Sequence, residues 1–494
     1  MFKNRRMAIN AISSIITYGI LLILSIVTSR IVLIGHGSET NGLLSSINQV
    51  FGYIALLEAG IGTATITALY KPIGEKNKDN TLEVLFASRQ YYRSCALWYF
   101  ICVIVAETLW PLVLETSISY ATIWFSIFFQ GVSSVIAFYY SSTIINYLVA
   151  DGRNYINNNV HISATILSYI VKIVICSSSL NIVYIALAMI VINVLKCIIY
   201  RQYMKRVCPE YFLIKKGDIS LLSERKSYLV HEISGVVFSG TDTIIISVFC
   251  GLGEASVYAV YSMVLMALRN IIGQVFNGTN YILGGAYSTD KDKYRQVHDN
   301  YNHIYIMLTF TLFSIAYVLL MPFIEIYTSG VSDANYLDPK LPILFVIIEL
   351  LSVCRVVDNQ LIKKAMHAKQ TIIRTITEAI MKLSASLILV QYWGIYGVLC
   401  GTVIALLYRT NDIVIYTNKR ILFRSPWKEY LLYLGNCVVF AFIVYANSCI
   451  SVMLDTYWKL ILAAIPISIG IFLVYALVNL VLFRCLKACK KRED

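Results

Sequence analysis

Apolar residues in this chain run in long blocks, not in the alternating or one-in-three patterns of soluble strands and helices. Fourteen blocks stand out, beginning with residues 8–34 and 42–70 and ending with 430–450 and 457–483. Each is close to or longer than the ~20 residues with which a helix crosses a ~30 Å hydrocarbon core. The pattern therefore predicts fourteen transmembrane helices, the longer ones tilted or projecting beyond the bilayer. Short polar segments separate the blocks, and their charge alternates. One set of gaps holds Lys71, Lys76, Arg153, Lys205, Arg206, Lys291, Lys363, Lys364, Lys419 and Arg420, and both chain ends belong to the same side. The opposite side carries only Lys340 and Lys459. The positive-inside rule then puts both termini in the cytoplasm. Trp110, Trp124, Trp393, Trp427 and Trp458 fall near block ends, where an interfacial belt is expected.

The longest cytoplasmic connection is polar and basic and contains Pro209. It suggests an N-lobe over 1–201, a linker over 202–227, a C-lobe over 228–416, and a terminal helix pair with a basic tail over 417–494. Six blocks precede the linker, so a repeat of this size has parallel topology. A faint internal echo supports the repeat. The outer turn from Gly35 to Gly42 resembles that from Gly251 to Ser256, and each precedes a long block and a basic loop with Lys-Asp (Lys78-Asp79 and Lys291-Asp292). The expected fold is an all-α polytopic membrane protein with two six-helix lobes in pseudo-repeat plus a terminal pair.

Composition agrees. Of the 494 residues 58% are hydrophobic and 14% charged, outside the soluble norm of roughly 45–50% apolar and about 25% charged. This excludes a soluble enzyme, a disordered chain and a disulfide scaffold. The net charge of +13 lies in loops between apolar blocks, so it reflects topology and not a nucleic-acid partner. The twelve cysteines are scattered without zinc-type pairs. No Walker motif is present, and the outer gaps are too short for the loop domains that membrane sugar-transferring enzymes usually carry.

A charge inside a span costs at least ~2.5–3.5 kcal/mol, so each requires a reason. Glu378 with Lys382, and Arg355 with Asp358, have the spacing of local helix pairs, and Arg409 and Asp412 lie near enough to a span end to snorkel. Others have no such partner. Glu58, mid-block and followed by Gly60, Gly62 and Ala64, marks either a close helix interface or a carboxylate facing a cavity. Asp242 lies between Thr241 and Thr243, where it either binds a cation or proton or hydrogen-bonds a neighbouring helix. Arg269 shares a segment with Asn270, Gln274 and Asn277, a set suited to a phosphate or diphosphate in a wet cavity. Arg30 is either a cavity cation or a snorkelling one. Lys172 and Lys196 would add to the same positive cavity, and Glu349 joins Glu58 and Asp242 as an ion-coupling or polar interface residue. The 36 tyrosines exceed what two interfacial belts need, and pack helices or stack on sugars.

Several of these residues fall in a recognisable pattern. Thr28-Ser-Arg-Ile-Val, the Gly-rich turn, Leu57-Glu-Ala-Gly-Ile-Gly-Thr-Ala-Thr65 and Leu69-Tyr-Lys-Pro-Ile73 resemble the first two helices of Wzx-type polysaccharide repeat-unit flippases. Those flippases share a superfamily, MOP, with MATE multidrug antiporters and the lipid II flippase. Ser234-Gly-Val-Val237, Thr241-Asp-Thr-Ile-Ile-Ile-Ser247 and Val257-Tyr258 are similar to that family's seventh helix and following turn. The chain departs from the pattern at Ile34-Gly-His-Gly37 and at Ala59, without threatening the fold.

The resemblance implies two helical lobes around a central cationic cavity that opens alternately to either side. The implied cargo is an undecaprenyl-diphosphate-linked oligosaccharide moved to the outer leaflet of the cell (plasma or inner) membrane for capsule or lipopolysaccharide synthesis. By position Arg30 would face the cavity, Asp242 would be the helix-seven aspartate, and Arg269 would lie in helix eight. Na+ or H+ is the implied coupling ion, no other cofactor is expected, and implied partners are membrane lipids, a polysaccharide polymerase and chain-length proteins. The alternatives are a MATE-like cation antiporter, against which Arg30, Lys172 and Arg269 weigh, and a membrane glycosyltransferase or polymerase. No catalytic or metal-binding residue is expected.

Overall fold

The computed structural model describes the backbone of residues 2–58, 60–178, 180–213, 217–222, 225–289, 291–365, 367–449 and 454–493. Side chains are described at the same positions except 2–18, 225–234, 239, 274–289, 291–293, 368, 369 and 485–493. The described residues are helical with no strand. The chain divides into two compact units, Met1–Ser256 and Val257–Asp494.

The first unit holds α1 (Phe2–Ile54), α2 (Ile61–Gly74), α3 (Lys78–Val113), α4 (Tyr120–Tyr140), α5 (Ser142–Ala150), α6 (Asn154–Ser177), α7 (Val183–Val207) and α8 (Arg225–Phe249). The division itself falls early in α9 (Leu252–Thr289). The second unit continues with α10 (Lys291–Tyr327), α11 (Leu341–Cys354), α12 (Val356–Lys364), α13 (Ile372–Trp393), α14 (Ile395–Tyr416), α15 (Trp427–Cys449) and α16 (Tyr457–Glu493).

Among the described residues ten helices are long and apolar enough to cross a membrane. Helix breaks and charge account for three of the four apolar blocks absent from this number; the fourth, α8, has side chains outside those described over 225–234 and at 239. The second block is cut where a 3₁₀ turn, Ala55–Glu58, meets Gly60 at φ 76°, and the tenth is cut at Arg355 between α11 and α12. The eleventh, α13, carries Arg374, Glu378 and Lys382. The protein is a multi-pass membrane protein.

In the first unit α1 packs on α6 and α8, while α4 packs on α3 and α7. The two turns that echo each other in sequence are in contact. Gly37 (φ 81°, ψ 175°) kinks α1, a conformation open essentially only to glycine. Beyond it Asn41 Nδ2 donates to Ser256 Oγ at 2.8 Å. A Cβ on Gly42 would stand 1.9 Å from the Leu252 carbonyl oxygen, so only glycine admits this approach. Glu39 accepts from Thr116 Oγ1 (2.7 Å), Ser117 N (2.9 Å) and Ser117 Oγ (2.7 Å), which pins the turn after α3.

The connection after α7 is docked onto α3 by backbone contacts. Arg89 donates to the carbonyls of Tyr211 (2.6 Å) and Leu213 (2.8 Å), and Gly217 lies against the Ala87 backbone. In this loop Asp218 accepts from Ser220 Oγ and N, which holds its carboxyl below the usual range. Because α8 packs on α1 and α2, it belongs to the first unit.

In the second unit α13 and α14 form a close antiparallel pair, since Gly397 and Gly401 rest on the backbones of Leu389 and Ser386. Buried tyrosines serve as polar pins between helices. Tyr261 donates to the Tyr336 carbonyl at 2.7 Å, and Tyr475 bonds Ser314 at 2.8 Å. Burying such a ring is favourable only when its hydroxyl finds a partner.

Candidate functional site

Arg30, Glu58, Lys172, Lys196 and Asp242 all belong to the first unit. Arg30 is half-buried on α1, about two turns before the Gly37 kink. Lys172 on α6 is half-buried with Nζ 5.9 Å from the Tyr169 ring centre, within cation–π range. Lys196 on α7 is also half-buried.

Glu58 occupies a different setting from the expected mid-helix one. It ends the 3₁₀ turn after α1, and Gly60 then starts α2 in the left-handed region. The small residues after it serve a close interface. A Cβ on Gly62 would lie 3.5 Å from the Tyr92 hydroxyl and 3.6 Å from Asn146 Oδ1. Asp242 is 3% exposed on α8. Its neighbour Thr241 bonds the Tyr53 hydroxyl at 2.6 Å, which joins α8 to the end of α1.

In the second unit Arg269 on α9 and Glu349 on α11 form a forked ion pair. Nε donates to Oε2 at 2.6 Å and Nη2 bonds Oε1. Glu349 is 5% exposed at its side chain and Arg269 39%, so the carboxylate is buried and the guanidinium reaches an open face. The sequence placed these residues in separate roles, one for the cargo and one for an ion; the fold brings them together. Gln274 and Asn277, expected beside Arg269, lie outside the residues whose side chains are described.

A second group of charges gathers on α11 to α14. Arg355 Nη1 donates to Glu378 Oε1 at 2.7 Å, and Arg409 Nε lies 3.4 Å from the other Glu378 oxygen. Arg409 also donates to Asp412 at 2.7 Å, and Asp412 pairs in addition with Arg374. Lys382, one turn beyond Glu378, is 2% exposed. Two local expectations change here. Arg355 pairs with Glu378 across helices, and Asp358 lies 3.2 Å from His298 Nε2 on another helix. Arg409 does not snorkel, being 4% exposed and held between two carboxylates. The group sets Arg355, Arg374, Lys382 and Arg409 against Glu378 and Asp412, an excess of positive charge.

The same helix α14 borders an apolar cavity of about 520 Å³. Leu407, Thr410, Asn411 and Val414 line it from α14, with Ile347 and Leu351 of α11 and Tyr433 and Phe440 of α15. Helix α14 thus borders the apolar cavity and supplies Arg409 to the charged group.

Sequence reading passed over Glu107 on α3, which is 2% exposed with Oε2 unpartnered. An acidic residue inside an apolar block was the signal available for it. It also passed over His298 and Glu429, which lie close to basic loops.

No protein-family model matches the sequence, and no curated protein matches it. Solved structures do match. One is an inward-facing multidrug resistance MATE family transporter of the MOP superfamily, with TM-score 0.64 and 17% identity over 81% of this chain and 94% of that one. Another is the lipid II flippase MurJ in an inward closed conformation, with TM-score 0.69 and 12% identity over 95% of this chain and 98% of the flippase. A third is a MOP superfamily transporter from Pyrococcus furiosus whose binding pocket is described as having reverse polarity, with TM-score 0.54 and 16% identity over 85% and 96%. The chain therefore has the fold shared by MATE transporters and the MurJ flippase of the MOP superfamily.

Proposed function

We propose that this protein is a flippase that moves undecaprenyl-diphosphate-linked oligosaccharide repeat units from the cytoplasmic to the outer leaflet of the cell membrane, for surface polysaccharide synthesis. Alternating access through a cationic cavity is the mechanism, with Arg30, Arg269, Lys172 and Lys196 as candidate groups for the diphosphate. Such a cargo has an apolar tail and an anionic head, and neither fits the environment of the other. The observation that carries the reading is α14, which borders an apolar cavity and also supplies Arg409 to a group with excess positive charge. Basic side chains in a wet cavity offset the desolvation of a diphosphate, and a bidentate guanidinium matches its oxygens. Extent of likeness favours the same side. The MurJ match extends over 95% of this chain, whereas the MATE match covers 81% of it.

Glu349 holds Arg269 through the forked ion pair. A diphosphate that displaced the carboxylate would take over the guanidinium and leave Glu349 free to accept an ion. Na+ or H+ coupling through Glu349 is the consequence of such an exchange, with Asp242 and Glu58 as the other candidate coupling residues, and the polymerase and chain-length proteins of the same assembly line are the expected partners.

A cation antiporter is the second reading, favoured by the likeness to MATE transporters. Native mass spectrometry of the purified protein separates the two. Retention of undecaprenyl-diphosphate oligosaccharide, competed by inorganic pyrophosphate, supports the flippase. Retention of organic cations in its place supports the antiporter.

A further inference from the structure

Three side chains from three helices meet in the interior of the second unit. His298 lies on α10, Asp358 in the first turn of α12 and Glu429 in the first turn of α15. Their exposures are 0%, 0% and 4%. One ligand-type atom from each lies within 4.8 Å of those of the other two. His298 Nε2 is 3.2 Å from Asp358 Oδ1, yet the two are not aligned as a hydrogen bond. Apart from that ion-pair contact, both ring nitrogens, both Asp358 oxygens and Glu429 Oε2 lack a hydrogen bond of good geometry. Buried polar atoms are nearly always bonded, so a set of converging orphans points to a missing ligand.

Charge and distance narrow its chemistry. Arg424 Nη2 donates to Glu429 Oε1 at 3.0 Å, and Arg424 Nη1 pairs with Asp299. Arg424 and Asp299 cancel, and with His298 as the neutral imidazole that a metal ligand must be, the carboxylates of Asp358 and Glu429 remain. Two negative charges call for a divalent cation. An imidazole nitrogen among the ligands favours a first-row transition ion such as Zn2+ or Co2+ over Mg2+ or Ca2+. The 3.2 Å separation is close to the edge of a tetrahedron with metal–ligand bonds of ~2.0–2.1 Å. Asp299 Oδ1, 3.7 Å from His298 Nδ1, occupies the side of the ring from which a second carboxylate orients a ligating histidine. A cleft of about 150 Å³ lined by Gln296, Asp299, Arg424, Lys428 and Glu429 gives an ion a route to Glu429.

We propose that His298, Asp358 and Glu429 form a buried site for one divalent first-row transition metal ion, which ties α10, α12 and α15 together. The site is separate from the cargo residues, and its test does not depend on transport. Tag-free protein in detergent is stripped with EDTA, and Zn2+ or Co2+ is added back. One metal per chain by elemental analysis, a tetrahedral Co2+ absorption band and a higher unfolding temperature with Zn2+ are expected. His298→Gln and Glu429→Gln abolish all three, while Asp299→Asn weakens binding about 10–100-fold. Binding by wild type that persists in His298→Gln overturns the assignment, as does wild type without stoichiometric metal or a Co2+ band. Should the ligand variants fail to fold, the wild-type Co2+ spectrum still decides, because a site with an imidazole and carboxylates differs from one made by cysteines.

Discussion

Arg269 and Glu349, eighty residues apart, share a forked ion pair with Arg269 Nε 2.6 Å from Glu349 Oε2. Removing one member leaves the other charge in a poorly solvated place. Arg269→Ala is expected to destabilise the protein by about 3 kcal/mol, the low end for such pairs because the guanidinium is 39% exposed. Arg269→Ala combined with Glu349→Gln should regain most of that stability in thermal melts. If the arginine also binds cargo, transport stays low in the double variant. Stability and transport that recover together would make the pair purely structural.

Glu378 is bonded to Arg355 and lies beside Arg409, all of them largely buried. Its replacement by Gln should cost about 3–5 kcal/mol, since buried cations lose their countercharge. Asp455 and Lys459 are only 2.6 Å apart, but their side chains are 68% and 58% exposed. Asp455→Asn should cost less than about 1 kcal/mol. Denaturant melts of the two variants test the contrast, and equal losses would show that burial does not set the strength of these pairs.

Gly37 sits at φ 81° and ψ 175° in α1. Gly37→Ala should lower stability by about 1–3 kcal/mol, the range for a side chain forced into a glycine-only region. Hydrogen exchange should then rise around Asn41 and Ser256, whose 2.8 Å bond depends on the kink. Unchanged exchange there would mean the turn tolerates another geometry.

Arg89 holds the connection after α7 through the carbonyls of Tyr211 and Leu213. Each hydrogen bond to a charged donor contributes ~1.5–3 kcal/mol. Arg89→Ala should therefore open residues 208–213 to limited proteolysis, with the helices left intact. A cleavage pattern identical to wild type would show that the apolar contacts of Tyr211 suffice.

The apolar blocks made the helical membrane fold legible, because a span's length and hydropathy are local properties. The turn glycines were legible for the same reason. Which charges meet was not. Glu349 has no partner on its own helix, and its pairing with Arg269 follows from how α9 and α11 pack. Local spacing suggested Arg355 with Asp358, but Arg355 bonds Glu378 of α13 and Asp358 lies against His298 of α10, partners set by helix packing. Glu58 read as mid-helix because nothing short of Gly60's left-handed backbone reveals the 3₁₀ turn. His298 and Glu429 were invisible as a pair, since residues at the polar ends of spans look solvated until the neighbouring helices close over them.

Leaflet translocation in proteoliposomes tests the flippase reading most directly. Purified protein is reconstituted with fluorescent undecaprenyl-diphosphate oligosaccharide, and access of an external quencher or lectin is followed over time. Translocation by wild type, slowed in folded Arg30→Ala and in the stability-matched Arg269 and Glu349 double variant, is the expected result. No translocation by wild type, with uptake of small organic cations by the same vesicles, would contradict it and place the protein among the cation antiporters.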